Sequence, residues 1–255
     1  MRIFTQLRLL YLLSGLLFAA PLCAAEISIA VAANFTDATR DLLALFEKVS
    51  GHTAKASFGS TGKLFTQIEN GAPFEVFLAA DTRRPLKAEQ DGLAVPGSHF
   101  VYARGRLALW STHADAFTDG EAYLRSAAFR HLAIANPKTA PYGLAAQQVM
   151  AHLGVWEGLQ HKIVQGDSIS QTFQFVATGN AEAGFIAYSQ LKSWKGDTGT
   201  TWVIPRDYYA PIEQGAVLLN KGATNSAAHA FIEFLKSDAA RQIILGYGYG
   251  IEADR

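Results

Sequence analysis

Short apolar runs alternate with amphipathic stretches along most of the chain. Ile27, Ile29 and Val31 form a β-branched run that ends at Ala32 and Ala33. After the polar turn Asn34-Phe35-Thr36-Asp37, Leu42, Leu43, Leu45 and Phe46 recur at helical spacing. The same design returns at Thr53–Phe58, a strand running into Gly59-Ser60-Thr61-Gly62 and a helix over Lys63–Asn70. Gly71 stops that helix, with Pro73 beyond it. Glu75–Ala80 predicts a buried strand, with Asp81-Thr82 as a helix cap, and Arg104–Trp110 begins another strand.

His131–Ala135 runs as a strand into Asn136-Pro137-Lys138-Thr139-Ala140-Pro141-Tyr142-Gly143, and a helix follows over Leu144–Leu153. Lys162–Val164 leads through Gly166-Asp167-Ser168-Ile169-Ser170 to a helix over Gln171–Thr178. Gly184–Ala187 and Ala216–Leu219 read as strands and Ala227–Leu235 as an amphipathic helix. Strand and helix in alternation predict an α/β fold with parallel sheets. No low-complexity tract separates domains.

Residues 1–25 have the make-up of a cleavable signal peptide. Arg2 and Arg8 precede the apolar stretch Leu9–Ala20, and Cys23-Ala24-Ala25 offers small residues before Glu26. The expected location is therefore the periplasm. Cys23 does not make a good lipid-attachment site, because Leu22 precedes it where such sites carry a small residue. Without the leader the chain has no cysteine, hence no disulfide and no thiol-based metal site or nucleophile. Two of the 22 Lys+Arg lie in the leader, leaving 20 against 22 Asp+Glu. That near-neutral balance gives no support for nucleic-acid binding. No second apolar run approaches the length of a membrane span.

Four strand-to-helix turns hold the candidate chemistry: Ala33-Asn34-Phe35-Thr36, Gly59-Ser60-Thr61-Gly62, Ala140-Pro141-Tyr142-Gly143 and Asp167-Ser168-Ile169-Ser170. The first N–H groups of a helix have no intrahelical partner and attract anions. In open α/β sheets ligands lie beyond the carboxyl ends of the strands, where such turns sit. Two turns come early and two from the middle of the chain, which suits a cleft between lobes. Ser, Thr and Asn at these positions also serve as ordinary N-caps, worth about 0.5–2 kcal/mol each.

Enzymatic motifs are weak. Gly62-Lys63 resembles the end of a phosphate-binding loop, but Leu64 replaces the needed Ser/Thr and Ser57 replaces the first Gly. There is no G-x-S-x-G elbow. The seven His residues show neither H-x-x-x-H nor H-E-x-x-H spacing. Asp37, Asp81, Asp167 and Asp207 are candidates for a carboxylate site, with capping an equal explanation for the first two. Tyr208-Tyr209, between Pro205 and Pro211, reads as a packed crossing.

The chain resembles the periplasmic molybdate-binding proteins of ABC transporters. The likeness is carried by AANFTDA (32–38), SFGSTGKLFTQIENGAPFEVFLAAD (57–81), IANPKTAPYGLAAQQV (134–149), GNAEAGFIAYSQ (179–190) and PIEQGAVLL (211–219). It implies a two-lobe periplasmic binding protein fold, type II-like, with mixed, mostly parallel sheets flanked by helices and a ligand cleft between the lobes. It places lobe I at 26–103 plus 211–255 and lobe II at 104–210, with crossings near Ala103 and Pro211. It implies oxyanion contacts at Ala33 and Asn34, at Thr61 with Ser60 beside it, at Tyr142, and at Ile169 through its backbone N–H. Asn34 and Thr61 stand where many members carry Ser, so both keep hydrogen-bonding side chains. Some members use a Tyr near Gly184–Ser189; here Ala187 aligns with it and Tyr188 falls one residue late, so Tyr142 is the expected phenol.

The implied protein is a monomer and not an enzyme. It needs no cofactor and holds molybdenum only as the oxyanion. It captures molybdate, and tungstate of nearly the same size, and delivers it to a membrane permease. A receptor of the same fold for sulfate, phosphate or a metal complex is the first alternative. A secreted hydrolase using Asp, His or Ser is the second.

Overall fold

The structure, a computed structural model, describes residues 25–251, so the leader ahead of Ala25 lies outside the described residues. The β-branched run forms strand β1 (Glu26–Ala32), which passes through a 3₁₀ turn (Ala33–Phe35) into helix α1 (Thr36–Ser50). Strand β2 (Thr53–Gly59) and helix α2 (Thr61–Glu69) follow, then β3 (Val76–Leu78), α3 (Arg83–Gln90) and β4 (Phe100–Gly105). The chain crosses at Arg106 into β5 (Leu107–Ser111), α4 (Gly120–Ser126), β6 (Leu132–Ala135) and α5 (Pro141–His152). Next come α6 (Trp156–Leu159), β7 (Ile163–Gly166), α7 (Ile169–Ala177), β8 (Ala183–Ala187), α8 (Tyr188–Ser193) and β9 (Thr200–Val203). It returns through Ile204–Pro211 to β10 (Ile212–Leu218), α9 (Ser226–Leu235) and α10 (Asp238–Gly246).

Two five-stranded sheets share one plan, β2-β1-β3-β10-β4 and β7-β6-β8-β5-β9. In each, only the fourth strand runs against the others: β10 pairs antiparallel with β3 and β4, and β5 with β8 and β9. Both sheets are therefore mixed and mostly parallel, with β1 and β6 flanked by parallel neighbours. Those reversed strands are the crossings. β4 ends the first sheet and feeds β5, the reversed strand of the second; β9 ends the second and feeds β10, the reversed strand of the first.

The boundary differs in detail from the one read off the sequence. Arg104–Trp110 is not a single strand: β4 stays in the first sheet to Gly105, two residues past Ala103, and the chain breaks at Arg106 before entering the second. The sequence does not reveal this break, because periodicity does not say which sheet a strand joins. Tyr209 staples the double crossing, its hydroxyl accepting the Leu107 N–H at 3.1 Å while its ring is buried.

Helices α9 and α10 bring Phe231, Ile232, Leu235 and Ile244 back onto Ile27, Ile29 and Val31, so the C-terminal segment completes the first lobe's core. In the second lobe Trp110 lies fully buried on β5, stacked on Phe173 with centroids 4.8 Å apart and planes 8° from parallel. Trp194 meets its ring edge-on at 5.8 Å. Replacing Trp110 by Ala empties this aromatic layer, and the expected loss is about 3–5 kcal/mol of unfolding free energy in urea. A loss under about 1 kcal/mol would contradict the packing.

Candidate functional site

The four turns singled out in the sequence stand at the carboxyl ends of β1, β2, β6 and β7, where each strand hands over to a helix or helical turn. Residues from all four line one cavity between the sheets, of about 200 Å³ with its mouth included. Its wall consists of Ala32, Ala33, Asn34, Gly59, Ser60, Thr61, Ala80, Ala140, Pro141, Tyr142 and Ile169. All six residues expected from the sequence are among them. None of the eleven carries a formal charge.

Each turn has a local reason for its shape. Phe35, fully buried, packs edge-on against Tyr102 and Tyr249 with centroids at 4.9 and 5.1 Å, which draws the first turn into the lobe. Thr36 donates its hydroxyl to the Ala33 carbonyl at 2.8 Å, so it serves the turn and not the cavity. In the second turn Ser60 is the N-cap residue of α2, yet its side chain makes no capping bond. Pro141 opens α5 at a position where its missing N–H costs nothing. Ser168 is a true cap, accepting the Gln171 N–H at 3.3 Å, and Ile169 begins α7.

The polar groups divide sharply. Thr61 Oγ1 accepts the Ala80 N–H at 3.0 Å, which leaves its own proton to donate. The hydroxyls of Ser60 and Tyr142 are buried, at 4% and 1% residue exposure, with no hydrogen-bond partner among the described residues. A buried hydroxyl left unpaired costs about 1–3 kcal/mol, so two facing one cavity mark a place built for a ligand. Burial holds the Tyr142 phenol protonated well above its usual range, and the neighbouring Tyr249, Tyr209 and Tyr102 add to the effect. Asn34 behaves differently from the sequence expectation of a side-chain donor. Its amide nitrogen is committed to Gln214 Oε1 at 2.8 Å and the Tyr249 hydroxyl at 3.1 Å, so helix-start N–H groups are what this turn has to offer.

The remaining candidates fall elsewhere. Tyr188 sits outside the cavity, beneath Arg106 and Lys192 at 4.9 and 5.7 Å from its ring. Asp37 pairs with Arg40, Asp81 with Arg84, and Asp167 with Lys63, so the aspartates do not gather into a carboxylate site. Among the described residues no cluster of His, Cys, Asp and Glu is arranged to hold a metal ion. The residues that sequence reasoning missed stand behind the wall: Tyr102, Ser189, Gln214 and Tyr249. Ser189 and Tyr249 both donate hydroxyls to the Asn34 carbonyl, at 3.2 and 2.7 Å. The pattern PIEQGAVLL was visible, but nothing local told Gln214 from a surface glutamine.

The two lobes meet along a seam beside the cavity. The Gly62 N–H donates to the Thr139 carbonyl at 2.8 Å, Arg84 Nη2 to the Lys138 carbonyl at 3.1 Å, and Ser170 Oγ to the Ala33 carbonyl at 3.1 Å. Lys63 pairs with Asp167 across the same seam at 2.7 Å, with both side chains half or more exposed.

Comparison with known proteins bears on the fold and the family. The family model described as bacterial extracellular solute-binding protein matches residues 27–250. The chain is 51% identical over 250 residues to the molybdate-binding protein ModA of Azotobacter vinelandii, covering 98% of this chain and 99% of that one. It is also 51% identical to the molybdate-binding protein ModA of Rhodobacter capsulatus, over 92% of both chains. The solved structure of the Azotobacter vinelandii periplasmic molybdate-binding protein superposes with a TM-score of 0.84 at 38% identity, over 88% of this chain and 99% of that one.

The seam leaves little room for a Cβ at position 62. A Cβ there would stand 3.0 Å from both Thr139 Cα and Arg84 Nη2. Gly62→Ala should push the lobes apart, raising the radius of gyration seen by small-angle scattering while each lobe keeps its circular dichroism. A variant as compact as the parent would contradict the contact.

Proposed function

Because the chain belongs to the bacterial extracellular solute-binding protein family, we propose that it captures molybdate in the cavity between its lobes and delivers it to the membrane permease of an ABC transporter. It is a binding protein and not an enzyme. The observation that carries the reading is the pair of unpartnered buried hydroxyls, Ser60 and Tyr142, facing an uncharged wall from opposite lobes. Tungstate, of nearly the same size, binds alongside molybdate. The leader directs the chain to the periplasm and is removed there, and the protein acts as a monomer without a cofactor.

A tetrahedral dianion offers four acceptor oxygens and no proton. Hydroxyl donors from Ser60, Thr61 and Tyr142, with helix-start N–H groups at Ala33, Asn34 and Ile169, answer it in kind. Helix N-termini add partial positive charge without a salt bridge. Charge-assisted hydrogen bonds are worth about 1.5–3 kcal/mol each, so five to seven support sub-micromolar binding after the costs of association. Protonated phosphate would bring a donor to a wall of donors and is penalised. Sulfate is smaller and leaves the bonds long. Closure of the seam around the ion creates the surface that a permease reads, a hinge motion selected by ligand.

Melting with added anions tests the choice of ion, since a ligand stabilises in proportion to the logarithm of its concentration over its dissociation constant. Molybdate and tungstate should raise the midpoint strongly and sulfate and phosphate at equal concentration should not; an equal shift with sulfate overturns the assignment. Thr61→Ala and Ser60→Ala should each weaken molybdate binding about tenfold or more in calorimetry, one charge-assisted bond being lost. Unchanged affinity in both would remove the site.

Affinity should stay flat from about pH 6 to 9. Ionisation of Tyr142 would replace a donor by a negative charge facing the ion, and burial moves that event above the ordinary phenol value of about 10. A loss with its midpoint at about pH 10 would mean that the phenol is solvated.

A further inference from the structure

Gln214 lies on β10 where the register with β4 shifts, between Gln214 and Gly215. A bulge of this kind re-aims a side chain, and here it turns Gln214 inward to full burial. One face of its amide is satisfied: Oε1 accepts Asn34 Nδ2 at 2.8 Å and the Tyr102 hydroxyl at 3.2 Å. The other face is not, because Nε2 has no partner among the described residues. It points to Gly105, where a Cβ would stand 3.2 Å from Nε2 and collide with the Tyr142 hydroxyl. Two unpartnered buried groups, one from each lobe, thus converge over a glycine in the crossing strand.

The direction of the protons that link Tyr249, Asn34 and Gln214 follows from one backbone carbonyl. The Asn34 carbonyl can only accept, so the Tyr249 hydroxyl donates to it at 2.7 Å. Having given its proton there, Tyr249 accepts from Asn34 Nδ2 at 3.1 Å. The second hydrogen of that nitrogen goes to Gln214, whose near atom must therefore be Oε1. Nε2 is left facing Gly105 and Tyr142 as a donor. Nε2 and the phenol oxygen make no hydrogen bond to one another, but both lie against Gly105, and an N–H turned toward the oxygen favours the Tyr142 proton pointing away from it, into the cavity.

We propose that Gln214 is a positioning residue of the oxyanion site, which fixes Asn34 with its carbonyl and sets the Tyr142 hydroxyl as a donor toward the ion with its amide N–H. This rests on the reading of the cavity as an oxyanion site. Gln214 touches no ion itself. It transmits the polarity of a lobe I backbone carbonyl to a lobe II phenol through the crossing strands, so donor direction and lobe position are set together. Gly105 is small because the phenol must reach past it.

A double-mutant cycle with sodium molybdate in calorimetry tests this, using Gln214→Met, Tyr142→Phe and the pair. Each single change should weaken binding about tenfold, and in the Tyr142→Phe background the Gln214→Met effect should shrink to about threefold or less, because the phenol it orients is gone. Fold losses that simply multiply would assign Gln214 a merely structural role and overturn the proposal. Gln214→Glu supplies a readout that packing does not move, and it decides the matter should Gln214→Met fail to fold. Its ionised carboxylate accepts the Tyr142 hydroxyl in a hydrogen bond and turns it from the ion, so affinity should fall as pH rises from about 6 to 8.5 while the parent stays flat. A flat Gln214→Glu profile also overturns it. Failure of the unmutated protein to bind molybdate would instead overturn the site reading, and the two failures are told apart by that first titration.

Discussion

A doubly charged ion held where no cation stands must be met by donors alone, and the rest of this architecture depends on that constraint. Bulk water offers both donors and acceptors; a cavity that offers only donors separates oxyanions by their protonation state. Uncharged walls also spare the protein a buried cation, whose desolvation would cost several kcal/mol whenever the ion is released. The lining from Ala32 to Ile169 meets the constraint with three hydroxyls and the starts of helical segments. The nearest basic groups are turned to other work: Lys63 pairs with Asp167, and Arg84 binds Asp81 and the Lys138 carbonyl.

Topology makes such a wall available. Parallel strands of one sheet send their carboxyl ends, and the helices after them, to one edge. Repeating the plan in a second sheet and exchanging the reversed strands sets the two edges face to face. The exchange has a second effect. The first crossing, Gly105 to Leu107, passes against the Tyr142 hydroxyl, and Tyr209 of the second, Ile204 to Ile212, is bonded to Leu107, so hinge and site are in contact. Gly105 belongs to the crossing by position and lies against Tyr142 of the site, Tyr209 ties the two crossings together, and Gln214, just past the second crossing, holds Asn34.

How much of this was legible depends on how local each signal is. Strand, polar turn and helix start are written within about ten residues, and all four turns could be read with their site residues. Ser168 could not be told from a ligand by sequence, because a cap and a ligand use the same atom types. Strand β9 was missed: its four residues are half exposed at a sheet edge and carry little periodicity. The cluster behind the wall was illegible for a different reason. Asn34 meets Gln214 across 180 positions and Tyr249 across 215, and no spacing rule reaches that far. Asn34 was found by its turn, while the use of its side chain was decided by residues that the turn does not contain.

Closure can now be weighed group by group. The Lys63–Asp167 pair is solvated on both sides and is worth at most about 1 kcal/mol. The Gly62–Thr139 and Ser170–Ala33 bonds replace bonds to water for a net of about 0.5–1.5 kcal/mol each, and the charged Arg84–Lys138 bond for about 1.5–3 kcal/mol. Against them stands the burial of Ser60 and Tyr142 without partners, costing about 1–3 kcal/mol each. These sums nearly cancel, so the protein alone has little preference for closed lobes. An ion that satisfies both hydroxyls removes the opposing cost and adds its own bonds, which makes closure a consequence of occupancy. The unpaired hydroxyls are therefore more than binding groups. On the proposed reading they keep the unliganded protein from presenting its closed surface, and a permease that reads that surface would take its signal from their dissatisfaction.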